Sequence, residues 1–188
     1  GGLEITPIYG VQGREANYID FLSAQWMEML EASLNAAADH GLAIDMNLGT
    51  GWPFGGPQIS PEAAAGKLIL QHYRFSVPGD MPSLIVPEEP LQRSLGASLE
   101  ALMAWQEDGT EVELTSLVDS EGMLHWEPAP GNWQLCAAFS GKTGQQVKRA
   151  APGGQGLTMD HFSAEALQQY RSRFDSAFHR TPGSKPPT

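Results

Sequence analysis

Cysteine is nearly missing: Cys136 is the single thiol in 188 residues. One thiol closes no internal disulfide and builds no cysteine-rich zinc site. Positive charge is scarce as well, with 11 Lys and Arg against 22 Asp and Glu and a formal net charge of −11. A nucleic-acid groove works through clustered cations that displace condensed counterions. No such cluster occurs, so a nucleic-acid partner is not expected. Long apolar runs are also lacking. None approaches the roughly 18 residues of a membrane span, and stretches such as Leu135–Phe139 are strand-sized, so no membrane partner is expected either. The chain has no initiator Met, basic n-region or signal core. It opens on Gly1-Gly2-Leu3-Glu4-Ile5, which reads as the entry to a strand and as the start of a piece cut from a longer protein.

Several catalytic signatures fail. Gly49-Thr50-Gly51 resembles the opening of a dinucleotide fingerprint, but Pro53 follows and no phosphate-cradling helix is expected behind it. Pro152-Gly153-Gly154-Gln155-Gly156 lacks the Gly-Lys-Ser/Thr ending of a P-loop. The five histidines (His40, His72, His125, His161 and His179) form no HExxH pair. No G-x-S-x-G elbow offers a serine nucleophile.

What is present is enough apolar residue, 41%, to bury a core. Residues 1–9 are apolar and β-branched, with Pro7 confined to a strand end or an unpaired position. The spacing predicts a helix over 23–40: Ser23 is the N-cap, Trp26, Met27, Leu30 and Leu34 make an apolar stripe, and Gly41 is the stop. Leu42 to Leu48 is a second strand with Asp45 and Asn47 on one face. Strand, helix and strand with short joins make a βαβ unit, hence parallel strands and a right-handed crossover. From Leu68 onward the chain alternates and turns, with strand-like runs at 68–77, 98–106, 111–117, 123–126 and 133–139 and turns at Asp108-Gly109, Glu121-Gly122 and Pro130-Gly131-Asn132. After a loop and the short run Leu157-Thr158-Met159, Ser163 caps a helix carrying Leu167, Tyr170, Phe174 and Phe178. The reading divides the chain into a βαβ part (1–66), an inserted β-rich segment (67–141), a loop with a helix (142–180) and a Pro-rich tail (181–188).

Ligands of parallel α/β sheets sit beyond the carboxyl ends of the strands. Here those ends lead to Tyr9 and to Gly49–Gly56, a Gly- and Pro-rich loop holding Trp52 and Phe54. Neutral carbohydrate offers apolar C–H faces ringed by hydroxyls, and is met by aromatic platforms with nearby carboxylates and amides. The candidate saccharide contacts are therefore Tyr9, Asp45, Asn47, Trp52, Phe54, Asp160 and His161, with Arg149 of the Lys148-Arg149 pair reaching a substrate hydroxyl or carboxylate. Blander roles fit the same residues. Asp45 suits a hydrogen-bonded structural carboxylate, Trp52 packing beneath the β-rich segment, Asp160 a helix-start acid, and Lys148-Arg149 a solvated loop pair. Glu4 is read as supporting the strand rather than touching substrate.

The blocks GGLEITPIYG, FLSAQWMEML and DMNLGTGWPFGGPQ, followed by GKTGQQVKRAAPGGQGLTMDHFSAEAL and RFDSAF, resemble glycoside hydrolase family 106, the α-L-rhamnosidases, in the same order. The β-rich middle resembles it only loosely. The resemblance implies an α/β fold: a partial (β/α)8 TIM-type barrel, first strands and helices only, carrying an inserted antiparallel β-rich segment. It implies an exported or periplasmic bacterial enzyme that hydrolyses terminal α-L-rhamnose from plant-type glycans with inversion. It admits calcium as a cofactor without identifying a ligand for it. It also places an Asn-Asp-Ser-aromatic-Glu type motif, with an acidic catalytic residue, beyond Thr188. On that basis no catalytic residue is assigned within the chain, and the expected partners are a rhamnose-containing glycan and the rest of a parent barrel. The alternative of a different class is a non-catalytic carbohydrate-binding module, with the β-rich segment as its working part.

Overall fold

The computed structural model describes residues 1–180; the Pro-rich tail lies outside the described residues. In chain order the elements are β1 (Gly2–Ile5), α1 (Ala24–Asp39), β2 (Ala43–Met46), β3 (Gly55–Gly56), β4 (Gly66–Val77), α2 (Pro90–Ser94), β5 (Ser98–Gln106), β6 (Glu111–Glu113), β7 (Gly131–Lys142), β8 (Leu157–Thr158) and α3 (Ala164–Arg180). The architecture is mixed α/β, without a closed barrel among the described residues. It divides into two units, one made of Gly1–Ala65 with the chain from Gly144 onward, the other of Gly66–Thr143. No helix among the described residues is long and apolar enough to cross a membrane.

In the first unit β1 and β2 pair in parallel, with Glu4 opposite Asp45 and Ile5 opposite Met46, and α1 makes the crossover between them. Ser23 Oγ accepts from Trp26 N at 3.2 Å, meeting one of the unpaired donors of the first helical turn. At the other end Gly41 takes φ +63°, a conformation that costs glycine nothing, and Leu42 N donates back to Ala37 O at 2.9 Å. Met27 and Leu30 enter a core with Phe21, Met159, Tyr170, Phe174 and Phe178, against which Ile5 and Met46 pack. Leu34 corrects the expected stripe: it shares the apolar face but stays 41% exposed, because the described core covers the first two turns of α1 and not the third. Period two then turns Glu4 and Asp45 to the opposite, exposed side of the strand pair.

α3 is capped by Ser163 Oγ, which accepts from Ala166 N at 3.2 Å. Ala166, Tyr170, Phe174, Ala177 and Phe178 form its buried face. Leu167 does not join them. One residue on from Ala166, it lies at the face's edge, 46% exposed, and lines a groove of about 280 Å³ with Leu48, Phe54 and Phe174.

The second unit is a four-stranded antiparallel sheet in the order β4-β7-β5-β6. Alternation decides its faces. Trp133, Leu135, Ala137 and Phe139 of β7 are buried with Leu102, Ala104, Ile85, Leu114 and Leu124, whereas Leu68 and Leu70 of β4 face outward. Gln71, buried on the inward side, donates from Nε2 to Val86 O at 3.1 Å and accepts from Glu88 N at 2.9 Å, fixing the Pro-rich link to the sheet. Two expected strands are shorter or absent. The run from Glu111 ends at Glu113, because Thr115 Oγ1 takes the amide of Leu102 at 2.8 Å and a 3-10 turn follows. Met123 and Leu124 make only isolated bridges, to Leu84 and Val118.

Candidate functional site

The geometry starts from two parallel strands whose carboxyl ends point the same way. Beyond β1 the chain reaches Tyr9, and beyond β2 it reaches Trp52; the two side chains are 54% and 53% exposed. A third segment straps them. Lys148 N donates to Trp52 O at 3.0 Å, Trp52 N to Lys148 O at 3.3 Å, Ala151 N to Thr50 O at 3.1 Å and Tyr9 N to Arg149 O at 3.1 Å. Gly51 is required where this strap passes: its φ is +137°, and a Cβ there would sit 2.1 Å from Lys148 O.

The strap delivers Arg149, itself at φ +57°. Its guanidinium carbon lies 5.5 Å from the centre of the Trp52 ring and 5.8 Å from that of Tyr9, within cation–π reach of both. Among the described residues Arg149 forms no ion pair with a carboxylate.

A second group of side chains forms around Phe54. Its carbonyl accepts from Met159 N at 2.9 Å, and its ring lies over Gly49, whose amide donates to Asn47 Oδ1 at 2.9 Å. The ring also stacks on His161 at 6.5 Å and 24°, and tilts against Tyr170 at 5.8 Å. Asp160 is fixed just ahead of α3: its amide donates to Ala63 O at 2.9 Å, and its Oδ1 accepts from Phe162 N at 2.9 Å. Asp45 stands exposed beside Glu4, which accepts from Thr6 Oγ1 at 3.3 Å.

The structure thus joins Tyr9, Trp52 and Arg149 in one contact group, and Asn47, Phe54 and His161 in another linked through Gly49. Asp45 belongs to neither by direct contact, and Asp160 commits one carboxylate oxygen to its own turn. Chemically the first group offers two apolar ring faces and a cation; the second offers a ring, an imidazole and an amide. Sequence reasoning overlooked Phe162, whose side chain is 102% exposed. A phenylalanine flanked by Asp, His and Ser just before a helix was the available signal. It placed Tyr170 on the last helix without a role at the site, and that ring abuts Phe54. No group of three or more His, Cys, Asp or Glu among the described residues is placed to hold a metal ion.

Tyr170 gives this region a pH dependence. Its hydroxyl donates to Leu48 O, and burial pushes its pKa from 10.0 up to about 12, partly opposed by the charge of Arg173. The fold favours the neutral phenol, so this contribution is whole below the ordinary value and is lost as pH rises through the raised one. A shift of about two units corresponds to at most ~2.7 kcal/mol. Denaturant midpoints of the first unit should therefore fall between pH 10 and about 12, and Tyr170→Phe should remove that fall.

With the geometry in place, comparison with known proteins adds three findings. The family described as alpha-L-rhamnosidase, glycoside hydrolase 106, matches residues 97–185. A protein of Formosa agariphila, provisionally named a beta-glucuronidase, is 26% identical over 90% of this chain and 18% of its own length. A solved rhamnosidase from Novosphingobium sp. PP1Y superimposes with a TM-score of 0.58 over 97% of this chain and 34% of that one, at 11% identity. This last likeness is one of fold. The chain is similar to glycoside hydrolase family 106, and it spans about a fifth of the curated relative and about a third of the solved one.

Proposed function

We propose that this chain is part of a glycoside hydrolase of the α-L-rhamnosidase kind, and that its first unit supplies sugar-contact loops of a (β/α)8 barrel. The parent enzyme is exported, acts on rhamnose-containing plant-type glycans and inverts the anomeric centre. One carboxylic acid would protonate the leaving oxygen while a second carboxylate activates water across the ring. Neither is assigned to the described residues. The observation that carries this reading is the pair of exposed rings, Tyr9 and Trp52, at the ends of two adjacent parallel strands and bridged by Arg149.

A binding module working through the β-rich unit is favoured less by the distribution of aromatics. Among the described residues the exposed aromatic side chains are Tyr9, Trp52, Phe54 and Phe162, all in the first unit. Trp133 and Phe139 of the second unit are buried, and Tyr73, Phe75, Trp105 and Trp126 are half-buried. A stacking platform needs a free ring face, and Tyr73, Phe75, Trp126, Trp133 and Phe139 all pack into their own core, which leaves Trp105, half-buried on the other face of the sheet, as the ring that could serve a module.

The test is L-rhamnose binding followed by ligand-observed NMR. Trp52→Ala should weaken it at least about tenfold, a loss of ~1.4 kcal/mol, and Phe54→Ala should weaken it less. Trp105→Phe should leave it unchanged. Undiminished binding by the Trp52 variant, or loss in the Trp105 variant, would overturn the assignment. An aryl α-L-rhamnoside should stay intact in the presence of these 188 residues alone; turnover would show that the catalytic acids lie within them.

A further inference from the structure

Arg149 offers more than a neutral sugar needs. Hydroxyls are satisfied by amides and carboxylates, and this chain has carboxylates in excess, 22 against 11 cationic side chains. We propose that the site takes a saccharide bearing a carboxylate, a uronic acid residue, and that Arg149 is the specificity-determining cation that receives it. This rests on the saccharide reading above and adds to neutral rhamnose a second, charged sugar that the site accepts.

Three observations point the same way. First, the guanidinium has no acidic partner, in a chain where acids outnumber cations two to one. Second, it is held against the rings of Trp52 and Tyr9, at 5.5 and 5.8 Å. Its side-chain N–H groups make no hydrogen bond to the described residues, so they remain available. A guanidinium presents a planar fork of donors that fits a carboxylate bidentately, which an ammonium does not. Third, its backbone is pinned. The residue sits at φ +57°, where a side chain bears strain, and its carbonyl is held by Tyr9 N while its neighbours pair with Trp52 and Thr50. A cation fixed in place before the ligand arrives loses little freedom on binding. The chain's net charge of −11 disfavours long-range capture of anions, so recognition depends on the short-range fork and on the ring faces beside it.

The experiment compares three probes on the intact chain by calorimetry at low salt: D-glucuronate, its methyl ester and acetate. Glucuronate should bind about tenfold more tightly than the ester, and acetate should not compete at equal concentration. In Arg149→Gln the acid-to-ester ratio should fall to about one, and Lys67→Gln, in the other unit, should leave the ratio as it was. Equal binding of acid and ester, a ratio that survives Arg149→Gln, or acetate competing as well as glucuronate would each overturn the proposal. Should the Arg149 variant fail to fold by circular dichroism, the ratio measured on the unaltered chain still decides. L-rhamnose alone separates the two readings. A chain that binds rhamnose but does not prefer the acid refutes the uronate site only. One that prefers the acid but ignores rhamnose refutes the rhamnosidase assignment.

Discussion

A methyl group at position 51 should take the candidate site apart. In Gly51→Ala the new Cβ would lie 2.1 Å from Lys148 O and 3.1 Å from the carbonyl carbon of Arg149, at a φ of +137°. Both neighbours are backbone, so no side chain can swing aside. The strap must separate from the Trp52 loop, breaking the paired bonds between Trp52 and Lys148 and releasing Arg149 from the two rings. Backbone strain and lost hydrogen bonds together should cost about 3 kcal/mol or more. Rhamnose binding should disappear and the urea midpoint of the first unit should fall. Gly13→Ala is the matching control. Gly13 also has positive φ, +80°, but a Cβ there meets nothing within 4 Å, so it should cost only about 1–2 kcal/mol and leave binding intact. If both variants behave alike, close approach of the strap is not what holds the site.

The second large effect belongs to the β-rich unit. Phe139→Ala should remove about 3–5 kcal/mol, against a total of roughly 5–15 kcal/mol for a natural domain. Phe139 is 1% exposed and central to a cluster with Ile85, Leu102 and Leu135, so the cavity left behind is walled by rigid strands and cannot collapse. Leu68→Ala, on the outward face of neighbouring β4 and 66% exposed, should change stability by less than about 0.5 kcal/mol. Chemical denaturation followed by tryptophan fluorescence separates the two outcomes. Equal costs would mean that both faces of this sheet are covered in solution.

Elements with a local chemical signal were legible in the sequence. Ser23 and Gly41 bracket α1 because a capping hydroxyl and a left-handed glycine are requirements of helix ends themselves. β4 and β7 show in the alternation of apolar residues, and the Asp108-Gly109 turn shows in a glycine that takes φ +90°. Where the outcome depends on a distant partner, the pattern misleads or is silent. The first strand stops at Ile5 rather than Tyr9, since its partner β2 ends at Met46 and Pro7 has no amide to extend the ladder. β3 is two glycines paired with Leu157–Thr158, a contact without hydrophobic signature. The site follows the same rule. Tyr9, Trp52 and Phe54 stand out as aromatics in odd loops, but the seating of Arg149 between two rings follows from the pairing of Trp52 with Lys148, far along the chain. In the sequence alone, Lys148-Arg149 is indistinguishable from a solvated pair.

The way the second unit is spliced in has an evolutionary consequence. Its first and last strands are mutual partners, with Gly66 opposite Lys142, so the polypeptide departs and returns at adjacent points, as in a hairpin. The closure entropy is thereby met inside the insert, whatever its length. Such a cassette is open to exchange, shortening or loss at one paired stem, with no demand on the host strands to re-register.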